Sequence, residues 1–500
     1  MAGELADVVV DPGTVFSVAG VLHVLIVARV GVHVLLNKQS EGSAFSWLGI
    51  VALSPFFGAV LYWLFGINRI RRRAQAELPR GHTPESPGGD IGVDALPPLI
   101  DQLPPRWRAL MRLGLAIHPS PYLSGNTLTP LINGDEAYPA MIAAIDSADA
   151  SVVLSSYIFE YDEAGERFVD ALTNAQARGV EVRVLIDGLG VGYGFSMVRS
   201  DRVLRRAGVP TARFLSFLSR SGTRFLNLRN HRKILSVDGE VAFVGGMNIR
   251  AGNLLRRPSR HHTQDVHFKV NGPIIDQINA VFAEDWHFAA GESLELPAWQ
   301  PVDARSSYGP GEGRTHAAGK GKLARVLLDG PDDNYQKLEH ALIGAINVAR
   351  HSIDIVTPYF LPGRILVSAL QIASLRGVRV RVCVPARNNL WFVGWAMKAN
   401  TRKLMSYGIE IVETPQPFDH SKLCLVDDRW SLIGSSNWDS RSLELNFEIN
   451  VECYDRDFNK RLRALVDAKC DSATVVETTG SEALPVRLRN NFFRLFSPYL

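Results

Sequence analysis

Hydrophobic residues in this chain first run almost without interruption and then settle into short periodic blocks. From Gly42 to Asn68 no residue is charged, and the stretch "FSWLGIVALSPFFGAVLYWLFG" is longer than the ~20 residues that cross a hydrocarbon core. Trp47, Tyr62 and Trp63 lie near its ends, where amphipathic rings favour the interface. Thr14 to Leu36 is also apolar but is interrupted by His23, Arg29 and His33. An arginine near the centre of a span costs roughly 2.5–3.5 kcal/mol on insertion scales, which partnering within a hairpin lowers. These patterns predict a membrane helical hairpin in residues 1–73, with spans over about 14–36 and 45–66. For the first segment, a helix lying in the interface is the alternative. The opening "MAGELAD" is acidic and does not fit a cleaved signal peptide.

Basic residues set the expected orientation. Lys38 alone lies between the two segments, whereas Arg69, Arg71, Arg72 and Arg73 follow the second. By the positive-inside rule the rest of the chain faces the cytoplasm.

Beyond the hairpin, residues 74–125 read as linker and membrane-proximal segment, rich in Pro and Gly as far as about residue 105. From 126 to 300 strand-like and helical periods alternate: "EAYPAMIAAIDSA", "SVVLSSYIF", "ERFVDALTNAQARG", "VEVRVLID". That alternation predicts an α/β domain containing parallel βαβ units. After a flexible linker at 301–324 the order returns in 325–500, as "QKLEHALIGAINVAR", "HSIDIVTPYF", "RILVSALQIASLRG" and "VRVRVCVP".

Two cassettes tie these regions together. "NHRKILSVDGEVAFVGGMN" spans 230–248 and "DHSKLCLVDDRWSLIGSSN" spans 419–437. His231 and His420, Lys233 and Lys422, Asp238 and Asp427, and Asn248 and Asn437 are each 189 residues apart. Matches at one offset, within one order of elements, indicate a duplicated domain.

Composition narrows the function. The 54 basic residues nearly balance the 51 acidic ones, leaving a net charge of +3. That is not the profile of a dedicated nucleic-acid binder. The four cysteines show no C-x-x-C spacing, so neither a disulfide framework nor a zinc site is expected, and a reducing compartment fits.

On a strand, residues i and i+2 share a face, so the His and Lys of each cassette would point into one site. A single His-x-Lys is usually surface decoration, and an Asp before Gly is usually a turn. Two matched copies in a duplicated fold favour a functional reading. If the repeats pack about a pseudo-twofold axis, paired His, Lys and Asn converge into a donor-rich, positive site suited to phosphate. Two histidines across one phosphorus supply a nucleophile and a general acid. No carboxylate cluster of metal-ligand type accompanies the cassettes, so the expected reaction uses no metal and no cofactor.

On these cassettes the chain resembles the phospholipase D superfamily, whose two HKD motifs have this pattern. It is further similar to bacterial cardiolipin synthases through "RGVEVRVLIDGLG", "NGPIIDQINAVFAEDW", "SSNWDSRSLELNFEINV" and the closing "SPYL". The resemblance implies two phospholipase-D-like αβα domains with mixed, largely parallel sheets. It also implies phosphatidyl transfer between two phosphatidylglycerol molecules, giving cardiolipin and glycerol through a phosphatidyl-histidine. By that analogy His231 is the nucleophile and His420 the acid/base, although the order of the two stays open. Lys233, Lys422, Asn248 and Asn437 would hold phosphoryl oxygens. Asp238 and Asp427 would secure the turn below the site. An acid downstream of each motif orients a histidine in this family, and the matching positions are Asp265 and Glu448. One departure stands out: Thr263-Gln264 replaces the Trp-Arg common before the first of these acids.

The implied partners are phosphatidylglycerol and an anionic bilayer. "RWRALMRLG" (106–114) and "VRLRNNFFRLFSPYL" (486–500) interleave basic and large apolar residues, which suits lipid contact or packing onto the domain, the two being even for the tail and packing favoured for the first segment. "SRSGTRFLNLRNH" (219–231) is a candidate lip for anionic headgroups or, equally, an exposed loop. A phospholipase D hydrolase, or a transferase using another alcohol, would share the same intermediate. A nuclease is disfavoured by the hairpin and the modest charge.

Overall fold

The computed structural model describes residues 12–37, 41–63, 100, 103–191, 198–215, 228–257, 261–294, 321–477 and 482–497. Residues 1–73 and 74–500 form separate compact units.

In the first unit Pro12–Asn37 is one helix of 26 residues. Its window Gly20–Asn37 is long and apolar enough to cross a membrane, and only 6% of it is buried. The second apolar stretch, expected as one span over 45–66, is two helices, Glu41–Leu53 and Pro55–Leu61. The break falls at Ser54, with φ −144° and ψ 78°, because a residue preceding proline is pushed out of the α region. Residues 64–66, Lys38 and the arginines at 69 and 71–73 lie outside the described residues. Val34, Val51 and Tyr62 form a small core with Val30, Trp47 and Leu48. His33, one of the polar interruptions, meets the Tyr62 hydroxyl at 2.8 Å, which satisfies it without water. Val24, Leu25, Leu35, Leu36 and Phe45 point outward, each more than half exposed.

The second unit is built on one mixed sheet. Its first half runs Leu123–Ile132, Val266–Asn271, Val241–Gly245, Ile234–Val237, Ser151–Ser156, Glu181–Asp187, Thr211–Phe214. Its second half repeats that order as Lys322–Asp329, Asn446–Tyr454, Trp430–Gly434, Leu423–Val426, Ser352–Val356, Arg379–Pro385, Glu410–Thr414. The halves join edge to edge through Leu123–Ile132 and Lys322–Asp329, antiparallel, with Leu123 opposite Ala324. Parallel pairing is confined to the outer three of these strands in each half. The strands that follow each cassette histidine pair antiparallel, since a tight turn can join only antiparallel neighbours.

Alternation within the strands separates the cores: Ile234 and its neighbour Leu235 enter different clusters. Helices Ile274–Ala290 and Arg456–Asp471 cover a core drawn from both repeats, where Phe268 meets Phe458 edge-on at 6.1 Å. Each repeat keeps its own core elsewhere. The segment 126–300 therefore shares apolar packing with 325–500.

Within the stretch read as linker, Pro105–Ile117 is a helix. Its Trp107, Leu110, Met111 and Leu115 are buried in the second repeat's core, so "RWRALMRLG" packs on protein. In the tail, Leu484–Arg494 is a helix that divides its aromatics. Phe493 packs against Trp391 and Trp395 at 5.5 and 5.2 Å, whereas Phe492 and Phe496 are exposed. The linker at 301–320 and most of the candidate lip, including Arg220 and Arg224, lie outside the described residues.

Candidate active site

Each cassette histidine is delivered by a two-residue strand that crosses to the other repeat. Arg229–Asn230 pairs in parallel with Asn446–Phe447, and His231 N donates to Phe447 O at 2.9 Å. Phe418–Asp419 pairs in parallel with Thr263–Gln264, and His420 N donates to Gln264 O at 2.8 Å. The residue following each receiving pair is an acid. Thus Glu448 places both carboxylate oxygens 3.0 Å from His231 Nδ1, and Asp265 Oδ2 lies 2.8 Å from His420 Nδ1. A carboxylate accepts, so Nδ1 carries the proton in both rings and Nε2 keeps its lone pair.

Glu448 is itself fixed, accepting from Ser435 Oγ and from Asn446 Nδ2 at 3.1 Å. Burial alone would raise its pKa. His231 and Lys233 beside it, with the Ser435 hydroxyl, hold it below the usual value instead.

Both histidines and both cassette asparagines line one cavity of about 420 Å³. Asn248 Oδ1 accepts from Ile158 N at 3.1 Å. Asn437 Nδ2 donates to Ser442 Oγ at 3.2 Å, and its buried Oδ1 has no partner among the described residues. Apolar Leu390, Phe392 and Val393 line another part of the wall.

The lysines sit behind the histidines and are not among the residues lining the cavity. Lys233 Nζ donates to His231 O at 2.6 Å, and Lys422 Nζ does the same for His420 O. Both are buried, and burial pushes them down to about 7 and about 8. Burial, with the nearby lysine charges, lowers both histidines to about 4. At neutral pH the imidazoles are therefore neutral, over partly charged ammonium groups.

Asp238 and Asp427 point away from the chemistry, and neither lines the cavity. Each has a left-handed backbone, φ 53° and 51°. The Asp238 carboxylate accepts from the amides of Asp149, Ala150 and Ser151 at 2.7–2.9 Å. Asp427 accepts from the amides of Arg350, His351 and Ser352 at 2.8–3.2 Å and pairs with Arg106. They pin the chain entering the first parallel strand of each repeat to the end of the cassette strand.

The cassette pattern did not point to Arg441, Tyr157, Tyr359 or Asn446 as cavity-lining residues. Their signal is weak because the cassettes do not repeat them. Arg229, part of the candidate lip, does line the cavity, as does Thr263. Among the described residues no group of three or more His, Cys, Asp or Glu is placed to hold a metal ion.

Comparison with known proteins agrees with this geometry. A family profile described as "Cardiolipin synthase, PLD-like domain" matches residues 141–286 and 342–469. A "Phospholipase_D-nuclease N-terminal" profile matches residues 18–66. A cardiolipin synthase of Geobacillus kaustophilus is 30% identical over 97% of this chain and 94% of its own length. Cardiolipin synthase A of Pseudomonas fluorescens is 31% identical over 94% and 95% respectively. Among solved structures, the phosphatidylserine synthase of Haemophilus influenzae aligns with a TM-score of 0.60 at 16% identity. That alignment covers 78% of this chain and all of the other, and shows the shared fold. Matched over more than half its length by the profile and nearly end to end by these relatives, the chain belongs to the cardiolipin synthase family of phospholipase D-like proteins.

Proposed function

We propose that this protein transfers a phosphatidyl group from one phosphatidylglycerol to the hydroxyl of a second, making cardiolipin and releasing glycerol. The observation that carries this reading is the pair of crossed His–carboxylate contacts opening onto one cavity.

In the first half-reaction His231 Nε2 attacks phosphorus and the bond to the glycerol oxygen breaks. His420 gives that oxygen a proton. In the second, His420 takes the proton from the acceptor hydroxyl, whose oxygen attacks phosphorus and releases His231. His420 must enter charged, although burial and the lysine charges lower its pKa. A phosphodiester anion between the rings offsets the lysine charges and favours the imidazolium. Asn248 and Asn437 are placed to bind phosphoryl oxygens directly. Lys233 and Lys422 supply positive charge from behind, in a buried site where it acts strongly. Asp265 and Glu448 orient the rings, and Asp238 and Asp427 anchor the turns. Leu390, Phe392 and Val393 suit the apolar parts of a lipid.

The apolar first unit places the enzyme at a membrane, which we take to be the bacterial cell membrane with residues 74–500 on its cytoplasmic side. The test is to incubate the purified protein with phosphatidylglycerol vesicles without divalent metal and to quantify products. Cardiolipin with matching glycerol supports the reading. Phosphatidic acid as the main product would instead make it a hydrolase.

A further inference from the structure

Arginines line the cavity beside the paired histidines, and two of them break the repeat symmetry. Arg229 and Arg441 both line it. At the offset of 189 residues that superposes the cassettes, Arg229 corresponds to Phe418 and Arg441 to Gly252. Neither arginine therefore belongs to the duplicated machinery. The third arginine in the wall, Arg250, has an acid close by, Glu160 at 3.6 Å.

Arg441 is different. It is half-buried, and among the described residues its guanidinium has no ion-pair partner. The acid nearest in sequence, Asp439, also lines the cavity and attracts the Arg441 charge, while its carboxylate accepts from Ser442 N at 2.8 Å and caps a short helix. Arg229 donates to Leu228 O and is held by the buried Asp187 and the Tyr157 hydroxyl, which fix its place in the wall. The Arg441 charge opposes that of Arg229. Two like charges in one wall repel each other, and the planar guanidinium is well matched to phosphate.

Transfer between two phosphatidylglycerols brings two phosphodiester anions into one cavity. The paired histidines and asparagines are built around one of them. We propose that Arg229 and Arg441 form a second anion subsite, which seats the phosphodiester of the acceptor lipid while its hydroxyl reaches the histidine pair. This rests on the phosphatidyl-transfer reading above. It gives two chemically identical substrates different seats, and it selects a phosphate-bearing alcohol over water, which shares the intermediate but has nothing for the arginines to hold.

The experiment compares the wild-type chain with Arg441→Gln and Arg441→Lys in phosphatidylglycerol vesicles, with and without ethanol. Cardiolipin, phosphatidic acid, phosphatidylethanol and glycerol are all measured. Arg441→Gln is expected to lower the ratio of cardiolipin to phosphatidic acid by about tenfold, the size expected for loss of a charge-assisted hydrogen bond. Arg441→Lys should restore part of that ratio. Phosphatidylethanol, whose acceptor carries no phosphate, should fall far less than cardiolipin. Continued release of glycerol by the variant shows that it is folded. An unchanged ratio, or equal losses of cardiolipin and phosphatidylethanol, overturns the subsite. A wild-type chain that makes phosphatidic acid and no cardiolipin overturns the transfer reading, and the subsite with it.

Discussion

Glu448 belongs to the second repeat, yet both its carboxylate oxygens lie 3.0 Å from Nδ1 of His231 in the first. The reciprocal contact joins His420 to Asp265. Each cassette histidine thus meets an acid of the other repeat, so the proposed active unit is the pair of repeats.

Replacing Glu448 with Gln keeps the shape but removes the charge and allows the amide to bond the wrong face of the ring. Loss of ring orientation is expected to lower kcat by at least about 100-fold, within the range that acid–base groups contribute. KM should change little, because Glu448 does not line the cavity. Steady-state kinetics on phosphatidylglycerol vesicles separates the two terms.

The two histidines differ in one testable respect. If His231 is the nucleophile, rapid acid quenching with phosphorus-labelled phosphatidylglycerol leaves label on the peptide containing residue 231. His231→Ala abolishes that label. Label on the peptide containing His420 would reverse the assignment.

Both rings have pKa values lowered to about 4, against an ordinary value near 6.5. The acid limb of kcat/KM reports the free enzyme, and its expected position is near pH 4. Stability follows the same sign. As pH falls, the unfolded chain takes up these protons before the folded one does. The stabilisation is thus complete above pH 6.5 and is lost as pH falls toward 4. Thermal denaturation across that window should show a falling Tm, and a His231→Ala, His420→Ala double variant should flatten the slope.

Asp427 is a matter of stability. Its side chain holds three consecutive backbone amides and Arg106. Asp427→Ala leaves those donors without their acceptor and is expected to cost about 2–4 kcal/mol. The readout is the shift in denaturant midpoint.

The tail helix carries a row of exposed apolar residues, Leu484, Leu488, Phe492 and Leu495, at helical spacing. Arg487 is exposed beside it, and Arg489 covers Trp395 at 4.1 Å. Such a face suits an anionic membrane surface. In vesicle sedimentation, Leu488→Glu with Phe492→Glu should weaken the association of the full chain with anionic vesicles more than with neutral ones. Equal binding by wild type and variant would assign this face another role.

Much of this was legible in the sequence, because duplication writes the same residues twice. The 189-residue offset of His231 and His420 led directly to the shared cavity, and the apolar stretches located the first unit. The crossed contacts were not legible. They depend on two-residue strands, Arg229–Asn230 and Phe418–Asp419, too short to carry any period, pairing with segments far away in the chain. Arg441 was hidden for the opposite reason: it has no counterpart in the other repeat. The helix break at Ser54 was written in Pro55, since a residue before proline is pushed out of the α region.

The seam between Leu123–Ile132 and Lys322–Asp329 has a consequence for turnover. A sheet hydrogen-bonded across the repeat boundary gives the halves no hinge, and opening them like a clam would tear backbone pairing as well as the shared core behind it. Two lipids must enter, and one product with four acyl chains must leave, through an aperture whose walls stay nearly still. On the proposed reaction such an enzyme would work as a rigid die, its pace set by how readily lipid tails slide past the rim.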